Sequence, residues 1–126
     1  MKPGININCS KYPFDTYIKN RFKLYETRNR NTLGTFVGRR VFLIKTGCGK
    51  PLIFAEATVS KAIKCRNRGE FNDYVRECMT YATDYDWNEK TKCKWLYKLD
   101  EIVPINNREV SKDAICHGYV WREIEE

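Results

Sequence analysis

Apolar and polar residues alternate with period two along several stretches of the chain, a pattern that indicates β-strands. Residues 41–45 (VFLIK) form a continuous apolar run, typical of a strand buried on both faces. Residues 52–64 make the longest candidate, and their broken alternation predicts a bulge near Ser60. The pattern therefore predicts about six strands, over residues 4–8, 23–28, 41–45, 52–64, 93–105 and 118–123.

Helical spacing of apolar residues occurs in only two stretches. A short helix is predicted to begin at Pro13, because proline favours the first turn of a helix, and a longer one is predicted over residues 70–83. Strands outnumber helices and do not alternate regularly with them. The chain is thus expected to be one domain, 1–126, of the α+β class: a small, mostly antiparallel β-barrel with flanking helices.

Charge is distributed unevenly along the 126 residues, whose formal net charge is +7. Residues 1–50 contain eleven Lys or Arg and two acidic residues, whereas residues 51–126 contain twelve and fourteen. A basic half indicates a polyanionic partner such as RNA or a nucleotide. No run of about 18 apolar residues and no apolar leader is present, so we expect no membrane association and a cytoplasmic location.

The six cysteines lie at wide, irregular spacings without a C-x-x-C pair. We therefore expect free thiols in a reducing compartment, although an even number leaves disulfides formally open. A metal pair at Cys116 and His117 is disfavoured, because neighbours on a strand point to opposite faces. No metal and no cofactor is expected.

Residues 21–30 (RFKLYETRNR) concentrate three arginines, a lysine and a glutamate in ten positions. Read with period two, one face of this strand carries Leu24, Glu26 and Arg28, and the other carries Lys23, Tyr25 and Thr27. A carboxylate beside a guanidinium can orient it, or can exchange a proton with a ligand whose phosphate the cations hold. The alternative is a solvated strand on which Glu26 and Arg28 simply pair.

This strand resembles the G-x-K-x-x-E-x-R signature of the ASCH domain, a member of the PUA-like superfamily. Lys23, Glu26 and Arg28 match the signature, while Arg21 stands where the family has glycine. Residues 93–104 and 118–121 resemble a late strand and the closing strand of the family. The resemblance implies a small β-barrel with a cleft beside the signature strand, and RNA or nucleotide ligands.

A related branch of the family hydrolyses acylated cytidine with a threonine at the place of Glu26, and some ASCH proteins are nucleases. Because Thr27 is one residue away and is expected on the opposite face, the threonine mechanism is not expected here. A hydrolase acting on RNA or a modified nucleoside stays open, with Glu26 as general base and Lys23 stabilising an anion.

The favoured hypothesis is an RNA- or nucleotide-binding module that acts as a monomer. In it, Glu26 fixes Arg28 or accepts a hydrogen bond from a base, and an aromatic residue stacks on that base. The candidate aromatics are Tyr25, Trp95 and Tyr85, and the candidate phosphate ligands are Lys23, Arg28, Arg30, Arg39 and Arg40. A protein–protein adaptor that uses the basic face is the third hypothesis.

Overall fold

A computed structural model describes residues 1–125, in which seven strands and three short helices form. The strands are β1 (Lys2–Asn8), β2 (Tyr25–Arg28), β3 (Arg39–Thr46), β4 (Leu52–Cys65), β5 (Lys94–Glu109), β6 (Ile115–His117) and β7 (Trp121–Ile124). The helices are α1 (Phe14–Lys19), α2 (Arg68–Asn72) and α3 (Val75–Cys78), with a 3-10 turn at Gly34–Phe36. This composition confirms the predicted mostly-strand α+β class.

One sheet contains all seven strands, in the order β2-β5-β4-β3-β1-β7-β6. Its neighbours run antiparallel except for β1 and β3, which pair in parallel. The continuous apolar strand β3 lies between β4 and β1, inside the sheet as its sequence predicted. The pairing of β1 with β7 brings the two ends of the described chain together.

The sheet is not closed into a barrel in the part of the chain that the structure describes. Its end strands, β2 and β6, do not pair with each other, so the barrel expected from the sequence is unconfirmed. Strand β2 nevertheless approaches β1, because the Arg28 guanidinium donates across the gap to the Asn6 carbonyl at 2.7 Å. We refer to this gap between β2 and residues 6–8 of β1 as the seam.

Two apolar clusters cover the two faces of β5. Tyr97 and Leu99 point into the main core, which β1, β3, β4 and α1 also line. Leu96 points the other way, into a second cluster that Phe71 and Cys78 cover from the α2–α3 side. Over residues 94–99, both alternating sets of β5 side chains are therefore buried or half-buried, whereas the end of the strand is mostly exposed.

The bulge predicted near Ser60 is present, since the register of β4 against β5 shifts between Val59 and Lys61. Two further irregularities occur earlier in β4. Strand β5 continues to Glu109, although the sequence predicted an end near Pro104. Pro104 pairs with Ala55 next to one of the irregularities, which is a position that tolerates a missing N–H donor.

The single helix predicted over residues 70–83 is wrong, because the chain forms two short helices there. The Asn67 side chain accepts from the backbone N–H of Glu70 at 2.9 Å and caps the start of α2. Met79 ends α3 in the left-handed region, at φ 56°, so the turn cannot continue as a helix. No helix among residues 1–125 is long and apolar enough to cross a membrane.

Candidate functional site

The side chain of Lys23, two residues before the start of β2, is buried in the protein interior. Arg21 has a positive φ of 62°, and β2 begins only at Tyr25, so residues 23–24 lack the strand alternation that the sequence predicted. The Lys23 ammonium consequently lies 3.7 Å from a Glu26 carboxylate oxygen, although the two were expected on opposite faces. It also donates to the Cys78 carbonyl at 2.6 Å and lies over the ring of Phe14.

Lys23 has no exposed surface. Burial lowers its pKa, and the nearby Glu26 carboxylate opposes that shift. A ligand outside the protein cannot touch this ammonium. Lys23 therefore supports the cleft from beneath, through its contacts with Glu26 and with the ring of Phe14.

Glu26 and Arg28 lie on the same face of β2, as the period-two pattern predicted. An Arg28 Nη atom lies 3.3 Å from the second Glu26 oxygen, so the carboxylate is held between two cations. The backbone N–H of Thr27 donates to the first oxygen at 3.1 Å. Because these donors fix both oxygens, the carboxylate is oriented before any ligand binds.

A cleft of about 390 Å³ opens at the seam, next to this carboxylate. Side chains from β1, β2 and β7 line it, and a tyrosine from each of two loops flanks it. Its lining consists of Asn6, Asn8, Phe14, Glu26, Thr27, Arg28, Thr46, Tyr85, Gly118, Tyr119 and Arg122. We refer to it as the seam cleft.

The hairpin between β6 and β7 forms one rim of the seam cleft. Gly118 adopts a positive φ of 61° in the turn, which suits glycine. The Asn6 side chain fastens this hairpin, because its amide donates to the Tyr119 carbonyl at 3.1 Å and its oxygen accepts from Arg122 Nε at 3.3 Å. Tyr119 is 97% exposed, so its ring is free for a ligand.

Tyr85 reaches the seam cleft from the segment between α3 and β5. Its ring packs edge-on against Phe14 and Tyr12, with centroids 5.7 and 6.0 Å apart. The Lys11 ammonium pairs with the Asp84 carboxylate at 2.6 Å and fastens the same segment on the outside. Of the three aromatics that the sequence put forward, Tyr85 alone is part of the cleft lining.

Several other predicted site residues lie away from the seam cleft. Tyr25 is buried in the second apolar cluster, edge-on to Tyr74. Arg39 and Arg40 begin β3, whereas the cleft residue Thr46 ends it seven positions later, which is roughly 23 Å along a strand. The Arg40 guanidinium is moreover paired with a carboxylate of β4 at 2.8 Å.

Arg30 and Trp95 lie near the signature strand but do not line the seam cleft. Arg30 is exposed just beyond the end of β2. Trp95 is half-buried at the edge of the main core and pairs in register with Arg28. The predicted set therefore divides: Glu26 and Arg28 line the cleft, and Lys23 supports it from below.

The sequence did not identify the cleft residues of β1 and β7. Asn6 and Asn8 gave a weak signal, because they alternate with Ile5 and Ile7 in a strand that proves central. Nothing in the sequence indicated Arg122, because only the long-range pairing of β7 with β1 brings this residue to the seam. Residues 1–125 contain no cluster of three or more His, Cys, Asp or Glu side chains placed to hold a metal ion.

The structure is similar to that of ASCH from Zymomonas mobilis, with a TM-score of 0.69 and 20% sequence identity over 84% of this chain and 73% of that chain. Two structures of mutants of that protein give TM-scores of 0.68 at 20% identity, covering 84% of this chain and 73% and 75% of theirs. No protein-family model and no curated protein matches the sequence. At this identity the likeness shows the fold, so the predicted ASCH-like fold is confirmed except for its closure into a barrel.

Proposed function

We propose that this chain, whose fold is that of the Zymomonas mobilis ASCH protein, binds a nucleotide of RNA in the seam cleft. One observation carries the proposal: an acidic residue, Glu26, two arginines, Arg28 and Arg122, and the exposed Tyr119 line one cleft. Its volume of about 390 Å³ lies in the range of small-ligand sites. Such a mixture of groups suits a ligand with an anionic end and an aromatic base.

Arg122 is the expected phosphate ligand. Its Nε atom donates to Asn6, while its terminal nitrogens have no hydrogen-bond partner in the described part of the chain. Arg28, by contrast, already contacts Glu26 and the Asn6 carbonyl. A phosphate is also repelled by the Glu26 carboxylate, which favours the β7 side of the cleft for the anion.

Glu26 is the expected reader of the base. A carboxylate accepts hydrogen bonds from amino and imino groups and donates none when ionised. Arg28 beside it offers N–H donors for a base carbonyl, so the pair presents an acceptor and a donor together. Tyr119 then covers the base, a stacking contact worth ~1–3 kcal/mol per base in single-strand binding proteins.

Salt dependence tests the proposal directly. We expect the affinity for a short single-stranded RNA, measured by fluorescence anisotropy, to fall steeply as salt rises, with a slope that decreases by about 0.7 in Arg122→Ala for the lost phosphate contact. Arg39→Ala is the matched control, because it removes an exposed arginine from the far end of β3 and should leave the slope nearly unchanged. An RNA affinity that does not depend on salt, or equal salt slopes in Arg122→Ala and Arg39→Ala, would falsify the proposal and favour the protein-adaptor hypothesis.

A hydrolase that uses the same cleft is the second candidate function. Its supporting observation is the Glu26 carboxylate, which lines the cleft in a fixed orientation and keeps further lone pairs that can accept a proton from a ligand. The burial of Lys23 gives no support to its predicted role as an anion stabiliser, because its ammonium does not reach the cleft.

Glu26→Gln separates the hydrolase from the binding module. For a hydrolase we expect RNA or nucleoside turnover to fall by about 10²–10⁴-fold while ligand affinity changes little, because the amide cannot take a proton. Product formation is followed by chromatography after incubation with each ligand. If the wild-type protein releases no product, the hydrolase is excluded for those ligands; turnover that persists in the variant excludes Glu26 as the base.

A further inference from the structure

A tryptophan between two cations lies next to the seam cleft, outside its lining. The sheet register pairs Arg28 of β2 with Trp95 of β5, and Trp95 in turn with Lys64 of β4. Directly opposed residues have Cβ atoms about 4.5–5.5 Å apart and share a face of the sheet. Arg28, Trp95 and Lys64 thus form a row that starts at the cleft and leads away from it.

The outer part of this row is free for a ligand. Lys64 is exposed and takes part in no ion pair among residues 1–125, and its ammonium lies 5.7 Å from the centre of the Trp95 ring. Trp95 is only half-buried. A cation near an indole face contributes little at an exposed site, so a ligand that stacks on the ring can displace it.

We propose that the row is a second nucleotide subsite, and that the ligand is a single-stranded polynucleotide rather than a free nucleotide. The inference depends on the proposed function of the seam cleft. Neighbouring strands are about 4.8 Å apart, so Lys64 lies about 10 Å from Arg28, with the indole between them. A nucleotide that follows the one in the cleft stacks on Trp95 and places its phosphate against Lys64.

The aromatic ring favours a polynucleotide over an acidic protein as the ligand. An acidic peptide would pair with Arg28 and Lys64 but would leave the indole between them without a partner. Every nucleobase has a flat face that can stack, so a ring flanked by cations matches the repeating phosphate and base of a single strand. The chain's net charge of +7 acts in the same direction.

The test compares ligands of two lengths on four proteins. Affinities for a mixture of the four nucleoside monophosphates and for a random-sequence RNA trimer are measured on the wild type, Lys64→Ala, Trp95→Leu and Lys61→Ala. Lys61 is the matched control: it is also an exposed lysine of β4, but it shares a face with Ile63 and Cys65, opposite to Lys64. Circular dichroism checks that each variant is folded, and leucine keeps the half-buried position of Trp95 apolar.

We expect the trimer to bind the wild type about tenfold more tightly than the monophosphates, from one added stack and one added phosphate. Lys64→Ala and Trp95→Leu should each lose part of this gain and keep the affinity for monophosphates, whereas Lys61→Ala should keep both. A trimer that gains nothing, or a gain that survives in both row variants, overturns the second subsite and leaves the cleft intact. If neither ligand binds the wild type, the proposed function itself fails.

Discussion

Lys23→Ala is expected to lower the free energy of unfolding by about 3–5 kcal/mol, the range for removing one partner of a buried ion pair. The ammonium is fully buried, donates to the Cys78 carbonyl at 2.6 Å and lies 3.7 Å from Glu26. Without it, a buried carbonyl at the end of α3 loses its donor and the carboxylate loses one of its two cations. The missing side chain also leaves a cavity beside Phe14.

Urea unfolding at pH 7 measures this effect. Lys23→Met restores much of the lost volume without the charge, so the difference between the two variants separates the cavity from the electrostatic contribution. Lys64→Ala is the exposed control and should change stability by no more than about 0.5 kcal/mol. A Lys23→Ala variant as stable as this control would contradict the prediction, and would mean that desolvation of the ammonium offsets all its contacts.

Arg28→Ala is expected to weaken RNA binding by about tenfold to a hundredfold, the equivalent of a charge-assisted hydrogen bond of 1.5–3 kcal/mol. Two losses combine: the guanidinium no longer faces the ligand, and Glu26 loses the donor that orients its second oxygen. The hydrogen bond to the Asn6 carbonyl disappears as well, so the two walls of the seam are no longer linked by this side chain.

Isothermal titration with a short single-stranded RNA measures the loss, and Arg28→Lys refines it. Lysine keeps the positive charge but cannot contact Glu26, Asn6 and a ligand with one planar fork. We therefore expect an intermediate affinity with a salt slope close to that of the wild type. Arg30 is an exposed arginine two positions further along the chain, and we expect Arg30→Ala to weaken RNA binding less. If Arg30→Ala loses as much affinity as Arg28→Ala, the effect of Arg28 would be explained by its positive charge alone.

The strands could be predicted well from the sequence, because their patterns are local. The apolar run of β3 indicated a central strand, and Ser60 marked a real bulge in β4. The helix over residues 70–83 could not be predicted correctly from spacing alone. The segment breaks at residues 73–74, between α2 and α3, and ends at Met79, whose left-handed conformation is rare for this residue type.

The candidate site could be predicted only in part, for a similar reason. The common face of Glu26 and Arg28 follows from strand alternation, which holds from Tyr25 onward. The contact of Lys23 with Glu26 depends on the positive φ of Arg21, and no periodic pattern reports such a turn. Asn6 and Arg122 reach the site through the pairing of β1 with β7, which joins positions more than one hundred residues apart.

The seam has a mechanical consequence. Along every strand pairing, pulling two neighbours apart breaks a ladder of backbone hydrogen bonds. Within residues 1–125, by contrast, one hydrogen bond joins β2 to β1, from Arg28 to the Asn6 carbonyl. Strands β2 and β1 can therefore separate by breaking this one hydrogen bond, while each keeps the backbone hydrogen bonds to its own neighbours in the sheet. We thus expect the sheet to open most easily at this gap, with the Arg28 guanidinium holding the two strands together.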